Sequence, residues 1–317
     1  MRRQGAAAGW GYQKNRIRKI KNKKEMKQKR RLPEGDRRLH QESKDGIAER
    51  FRDHETNEVT TMINVIIHGY LGKMGQTLKR LIDQRDDMQI VCGIDIGLAG
   101  KEDLTGESGT VLCSKPEQFK GEADAIIDFS NHAAVKEILY YAKEWQIPCI
   151  VATTSLTEDE LAFLNETSEN VAVFRSANMS LGINLMAKAL QLMTPFVEKD
   201  FDMEIVEMHH NMKKDAPSGT ALLLADKINK VCEEKKEYIY GREGGNLAFD
   251  RKQMGIHALR GGTVAGEHKV IFAGPDEIIE LRHLALSREI FAHGALAAAE
   301  FMAGKGPGLY SMDDLIG

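Results

Sequence analysis

The chain has 317 residues, 42% hydrophobic and 29% charged, with a formal net charge of −3. That length allows two folded parts around a large core, and no apolar run approaches a membrane span. The four cysteines (Cys92, Cys113, Cys149, Cys232) form no C-x-x-C pair, so they are read as reduced, buried thiols of a cytoplasmic protein.

Charge is unevenly spread, roughly +9 before Met62 and roughly −12 after it. Residues 1–61 hold the basic run Lys14 to Arg31 and show no sustained hydrophobic period, so they are expected to lie outside the fold. A nucleic-acid or membrane arm is one reading of them. A transit peptide is another, opposed by few Ser and by Glu34, Asp36, Glu42 and Asp45. The plainest reading is an early start assignment with Met62 as the true first residue, and no role is given to the segment. The acidic body argues against broad contact with nucleic acid.

Ile63 to His68 is an apolar strand. The turn Gly69-Tyr70-Leu71-Gly72-Lys73-Met74-Gly75 follows, and then a helix through Ile82. Strand, glycine-rich turn and helix form the dinucleotide-binding arrangement, although Leu71 stands at the usual middle glycine. The next strand, Gln89 to Ile94, ends at Asp95, where an acid can bond adenosine ribose hydroxyls or simply cap the strand. Strands at 123–130, 147–152 and 171–174 alternate with helices at 132–145 and 158–164. The alternation predicts a doubly wound parallel sheet of Rossmann type, with ligands at the carboxyl ends of its strands. Asp128-Phe129-Ser130, Ala152-Thr153-Thr154 and Ser176-Ala177-Asn178-Met179 fall at such ends.

Leu181 to Val197 is an amphipathic helix whose Met and Leu stripe is read as core. From Met203 a period-2 strand runs into His209-His210, then Lys213, Lys214 and Asp215, then Pro217-Ser218-Gly219-Thr220. Ser218 is a good N-cap for a helix from Thr220 to about Glu234. Imidazoles, ammonium groups and a helix start within a few residues make a site for a multiply charged anion that also needs a proton. Neighbouring histidines on extended backbone face opposite ways, and no third ligand stands at metal spacing, so no metal is expected. Strands at 256–260, 266–273 and 277–285 predict a second, open sheet, mixed or mostly antiparallel, and 290–302 an Ala-rich helix.

Glu207 to Ala221, reading EMHHNMKKDAPSGTA, resembles the signature of the dihydrodipicolinate reductase family, and Gly69, Gly72, Met74 and Gly75 match that family's glycine turn. The resemblance covers the chain from Met62 onward. It implies reduction of 4-hydroxy-tetrahydrodipicolinate to tetrahydrodipicolinate by NADH or NADPH, with loss of water, in lysine and diaminopimelate biosynthesis. It implies His209 as proton donor and Lys213 as a second donor. His210, the N–H groups of Gly219 and Thr220, and Arg288 would hold the substrate carboxylates. Gly69, Tyr70, Leu71, Gly72, Lys73, Met74 and Asp95 would hold the adenosine end of the cofactor. Ala152, Thr153, Thr154, Ser176, Ala177, Asn178 and Met179 would line the nicotinamide, with Ala152 and Ser155 standing where the family favours glycine. Domains at 62–180 with 288–317, and at 181–287, are implied, with an α+β second domain and a homotetramer. Arg260 and His283 fall in segments near the family's substrate pocket. An aspartate-dehydrogenase-like enzyme or a non-catalytic NAD(P) sensor would share the glycine turn but not the two-histidine, lysine and PSGTA array.

Overall fold

In the computed structural model, which describes residues 62–101, 104–106, 109–245 and 250–317, Ile63–His68 forms β1 inside an eight-stranded sheet. Residues 1–61, expected to lie outside the fold, fall outside the described residues. From β1 the chain builds one side of the sheet with β2 (Met88–Ile94), β3 (Leu104–Thr105) and β4 (Val111–Cys113). It then crosses to the other side of β1 for β5 (Ala125–Asp128), β6 (Cys149–Val151) and β7 (Ala172–Arg175). The order is β13-β7-β6-β5-β1-β2-β4-β3, with β13 at Gly308–Tyr310. Every pair is parallel except β3 with β4. Strand order reverses between β1 and β5, which opens a crevice at their carboxyl ends.

Both faces of this sheet are covered, as a parallel sheet with helical crossovers requires. Helices α1 (Lys73–Ile82) and α6 (Glu289–Met302) pack Leu78, Ile82, Ala295 and Leu296 against Val65 and Ile67. Helices α2 (Val135–Trp145) and α3 (Glu158–Ser168) pack Ile138, Leu139 and Leu164 against Ile66, Ile94 and Val173. Each such Ile or Leu contributes about 1.5–3 kcal/mol by leaving water. Helix α3 begins where Thr157 Oγ1 accepts the Glu160 N–H and Glu160 Oε2 accepts the Thr157 N–H, a capping box. All four cysteines are buried and unbridged.

Helix α4 (Leu181–Val197), capped by Ser180, leads to the second sheet, of order β12-β11-β8-β10-β9. Its strands are β8 (Asp202–His209), β9 (Glu237–Ile239), β10 (Gln253–Arg260), β11 (Gly266–Ala273) and β12 (Ile278–Ala285). This sheet is mixed, one of the two forms expected for the second domain: β8–β10 and β9–β10 are parallel while β8–β11 and β11–β12 are antiparallel. The reason is the crossover through α5 (Gly219–Val231), which returns β10 in the direction of β8. Helix α5 stops at Val231, short of Glu234, where Cys232 takes an extended backbone. Met203, Ile205, Met254, Ile256, Val270 and Phe272 meet α4 and α5 in a third core. After α6 the chain adds β13 and α7 (Met312–Ile316).

Candidate active site

The glycine turn is shaped by close backbone approach. Gly69 has φ +85°, and a Cβ there would come within 2.6 Å of the Phe129 carbonyl oxygen. A Cβ on Gly75 would lie 2.3 Å from the Gly69 carbonyl oxygen, so α1 can start against the turn only with glycine there. The Gly69 and Tyr70 N–H groups donate to the Ile94 carbonyl, at 2.9 and 3.1 Å. Asp95, closing β2, accepts the Leu71 N–H at 2.9 Å and the Gly97 N–H at 2.9 Å. Asp95 therefore caps its own strand end and also fastens the turn. Lys73 is the exposed first residue of α1. The Tyr70 ring turns inward beneath Gly93, and Met74 packs on the core, so these two present backbone to the crevice.

Beside the turn lies a cleft of about 300 Å³, walled by Ala152, Thr153 and Thr154 after β6 and by Ser176 to Met179 after β7. Phe129, Ser130, Thr220 and Phe291 complete its walls. Thr153 Oγ1 is buried there with no hydrogen-bond partner among the described residues. A buried hydroxyl without a partner suits a polar ligand group. The cramped turn, the N-terminus of α1 and this hydroxyl all fit a nicotinamide dinucleotide. Helix α6 presses close behind the cleft, since a Cβ on Gly294 would meet the Met179 carbonyl oxygen at 1.6 Å.

The second group of residues is set by the alternation of β8, which buries Met203, Ile205, Glu207 and His209 on one face. His209 Nδ1 lies 2.6 Å from Glu207 Oε2. Arg260, from β10, holds the same carboxylate with Nη1 to Oε2 and Nη2 to Oε1, both at 2.8 Å. The Ser218 N–H donates to Glu207 Oε1 at 3.0 Å. Burial alone would raise the Glu207 carboxyl, but hydrogen bonds from Arg260, His209 and Ser218 outweigh it and hold it below the usual range. Ser218 caps α5, its Oγ accepting the Ala221 N–H at 3.1 Å and meeting His268 Nε2 at 2.9 Å. The His268 ring stands edge to face with His209, centroids 5.1 Å apart. Burial and the neighbouring His209 push His268 down to about 4, so it is neutral near pH 7.

His209, Thr220, Arg288 and His283 share a small cavity of about 40 Å³ with His268. Asn178, Thr220 and Phe291 line both this cavity and the larger cleft, so the two lie side by side. Asn178 Nδ2 donates to Thr220 Oγ1 at 2.9 Å, joining the end of β7 to the start of α5. His210 and Lys213 are not among the walls of the cavity. The His210 N–H donates to the Val264 carbonyl at 2.8 Å, and Lys213 Nζ pairs with Asp215 at 2.9 Å.

With this geometry in view, the family model described as Dihydrodipicolinate reductase, N-terminus matches residues 63–179, and that described as Dihydrodipicolinate reductase, C-terminus matches residues 182–316. The chain belongs to the dihydrodipicolinate reductase family. The 4-hydroxy-tetrahydrodipicolinate reductase of Caldanaerobacter subterraneus subsp. tengcongensis is 48% identical over 255 residues, 80% of this chain and 98% of that one. That of Clostridium botulinum is 42% identical over 257 residues, 81% of this chain and 99% of that one. The solved dipicolinate-bound dihydrodipicolinate reductase from Paenisporosarcina sp. TG-14 has the same fold, with TM-score 0.67 at 24% identity, covering 79% of this chain and 98% of that chain.

In this dihydrodipicolinate reductase family member several site residues escape sequence reasoning. Glu207 carried a signal, an acid two places before a histidine on the face that the period buries. His268 and Phe291 carried none, since each reaches the site only through the fold.

Proposed function

We propose that this chain converts 4-hydroxy-tetrahydrodipicolinate and NAD(P)H, with one proton, into tetrahydrodipicolinate, NAD(P)+ and water, on the way to diaminopimelate and lysine. The observation that carries this reading is the shared wall of Asn178, Thr220 and Phe291, which brings the His209 cavity against the cofactor cleft. Residues 62–180 with 288–317 bind the dinucleotide, and residues 181–287 bind the substrate.

When bound, the reduced nicotinamide supplies a hydride. The dehydrated ring that receives it needs a proton at the neighbouring carbon, and His209 donates it. Lys213 is the second donor; its tether, Asp215, has a side chain 61% exposed and holds it weakly. His210, the N–H groups of Gly219 and Thr220, and Arg288 hold the two carboxylates, using the free donors of a helix start for one of them. An acid at Asp95 suits NADH, and a cation at Lys73 suits the extra phosphate of NADPH, so both cofactors serve.

The test supplies purified protein with freshly generated product of the preceding synthase reaction and follows nicotinamide absorbance. Consumption of both cofactors, with kcat/KM values within about a thousandfold or roughly 4 kcal/mol of each other, is expected. Consumption of neither removes the activity, and a wider ratio removes dual use alone. The reading extends to a homotetramer packed through the second sheet, where Ile278 and Leu284 stand exposed on β12. Sedimentation as a monomer at micromolar concentration would remove that extension.

A further inference from the structure

We propose that Glu207 is the positioning residue of this site: one buried carboxylate fixes both the tautomer of His209 and the helix start that receives a substrate carboxylate. The inference rests on the donor role given to His209 above.

Glu207 has no solvent exposure. It takes four donors, His209 Nδ1, two Arg260 nitrogens and the Ser218 N–H, which fills the usual capacity of a carboxylate. Two consequences follow from that saturation. The Nδ1 proton of His209 is pinned on the side away from the cavity, and Nε2 faces Gly266, where a Cβ would come within 3.0 Å. A neutral ring in this tautomer has a bare Nε2 and cannot donate from it. Donation to substrate needs the doubly protonated ring, whose charge an anion at 2.6 Å favours. The same carboxylate also anchors Ser218, the N-cap of α5, one residue before Gly219. Glu207 thereby sets the spacing between the proton donor and the carboxylate-binding helix start.

The other groups facing His209 oppose its charge or leave it unaided. Arg260 on β10 is a cation sharing Glu207. His268 on β11 is neutral near pH 7, and burial also lowers His283 on β12. Arg288, ahead of α6, lines the same cavity. Lys213 in the loop after β8 is paired with the exposed Asp215. Glu207 is therefore the anion in direct contact with the imidazole, and its charge stabilises the donating form.

The experiment compares pH profiles of kcat/KM for the parent, Glu207→Gln, the double variant Glu207→Gln with Arg260→Met, and His209→Ala. His209→Ala is expected to lower kcat about a hundredfold or more, as for a lost general acid. Glu207→Gln keeps the shape and removes the negative charge that faces the imidazole at 2.6 Å. Its high-pH limb in the measured profile should move down, kcat at neutral pH should fall at least about tenfold, and NADPH affinity by fluorescence titration should be unchanged. The double variant leaves no half-buried guanidinium without its carboxylate, so it carries the test if the single variant does not fold. Its limb should move the same way by less. An unmoved limb in a folded single or double variant, with His209→Ala still crippled, overturns the inference. A fully active His209→Ala overturns the donor role itself, and the inference with it.

Discussion

His68, at the end of β1, and His209, at the end of β8, are both held at Nδ1 by a carboxylate with no solvent exposure, Asp128 at 2.8 Å and Glu207 at 2.6 Å. Asp128 reaches His68 from the adjacent strand, opposite it in the parallel register. Its Oδ1 also takes the Ser130 N–H at 3.1 Å, while Oδ2 has no hydrogen-bond partner among the described residues. Glu207 sits two residues before its histidine on the same buried face, and both of its oxygens are filled. His68 precedes Gly69 beneath the cofactor turn, whereas His209 looks into a cavity. A histidine–carboxylate pair is thus a poor marker of chemistry by itself. The informative features are a second ring nitrogen facing a cavity and a carboxylate with every lone pair engaged.

Two measurements break or sharpen this contrast. The larger effect concerns His268, the neutral neighbour of the His209–Glu207 pair. Its folded value of about 4 lies below the unfolded value near 6.5. Between those values the unfolded chain binds the extra proton, so stability falls as pH drops from about 6.5 to about 4 and levels off below. The loss from this one group approaches about 3 kcal/mol. His268→Gln keeps a partner for Ser218 and should flatten that part of the melting-temperature curve; a slope as steep as the parent's would show that His268 does not cause it. The smaller effect belongs to the other pair. Asp128→Asn should cost on the order of 1–2 kcal/mol in urea unfolding, because it trades a charge-assisted bond for an amide whose two N–H donors replace the unpartnered Oδ2. It should leave the pH profile of kcat/KM in place. A profile that moved as far as with Glu207→Gln would erase the distinction between the two pairs.

Much of this arrangement was legible in the chain itself. The apolar run Ile63–His68, the glycines after it and the Ser218 cap each carry a local signal, and each forms as expected. The period of β8 separates His209 from His210 as alternation requires, one buried and one at the edge. What stayed hidden was non-local or too short to have a period. Arg260 meets Glu207 across 53 residues of sequence, and Ser218 meets His268 across 50. The strands Glu237–Ile239 and Gly308–Tyr310 have three residues each, too few to show alternation. The direction of β10 depends on the crossover through α5, which residue pattern does not encode.

The contact between Gly294 and the Met179 carbonyl bears on the order in which the molecule is made. Phe291 and Gly294 lie on α6, and β13 completes the sheet edge beyond β7, yet both elements follow the whole second sheet in the chain. A ribosome that has released everything through β12 has therefore delivered a half-built vessel, with the back wall and one rim still to come. The cleft walled by Met179 and Phe291 is complete only once the last stretch of polypeptide has emerged and folded home.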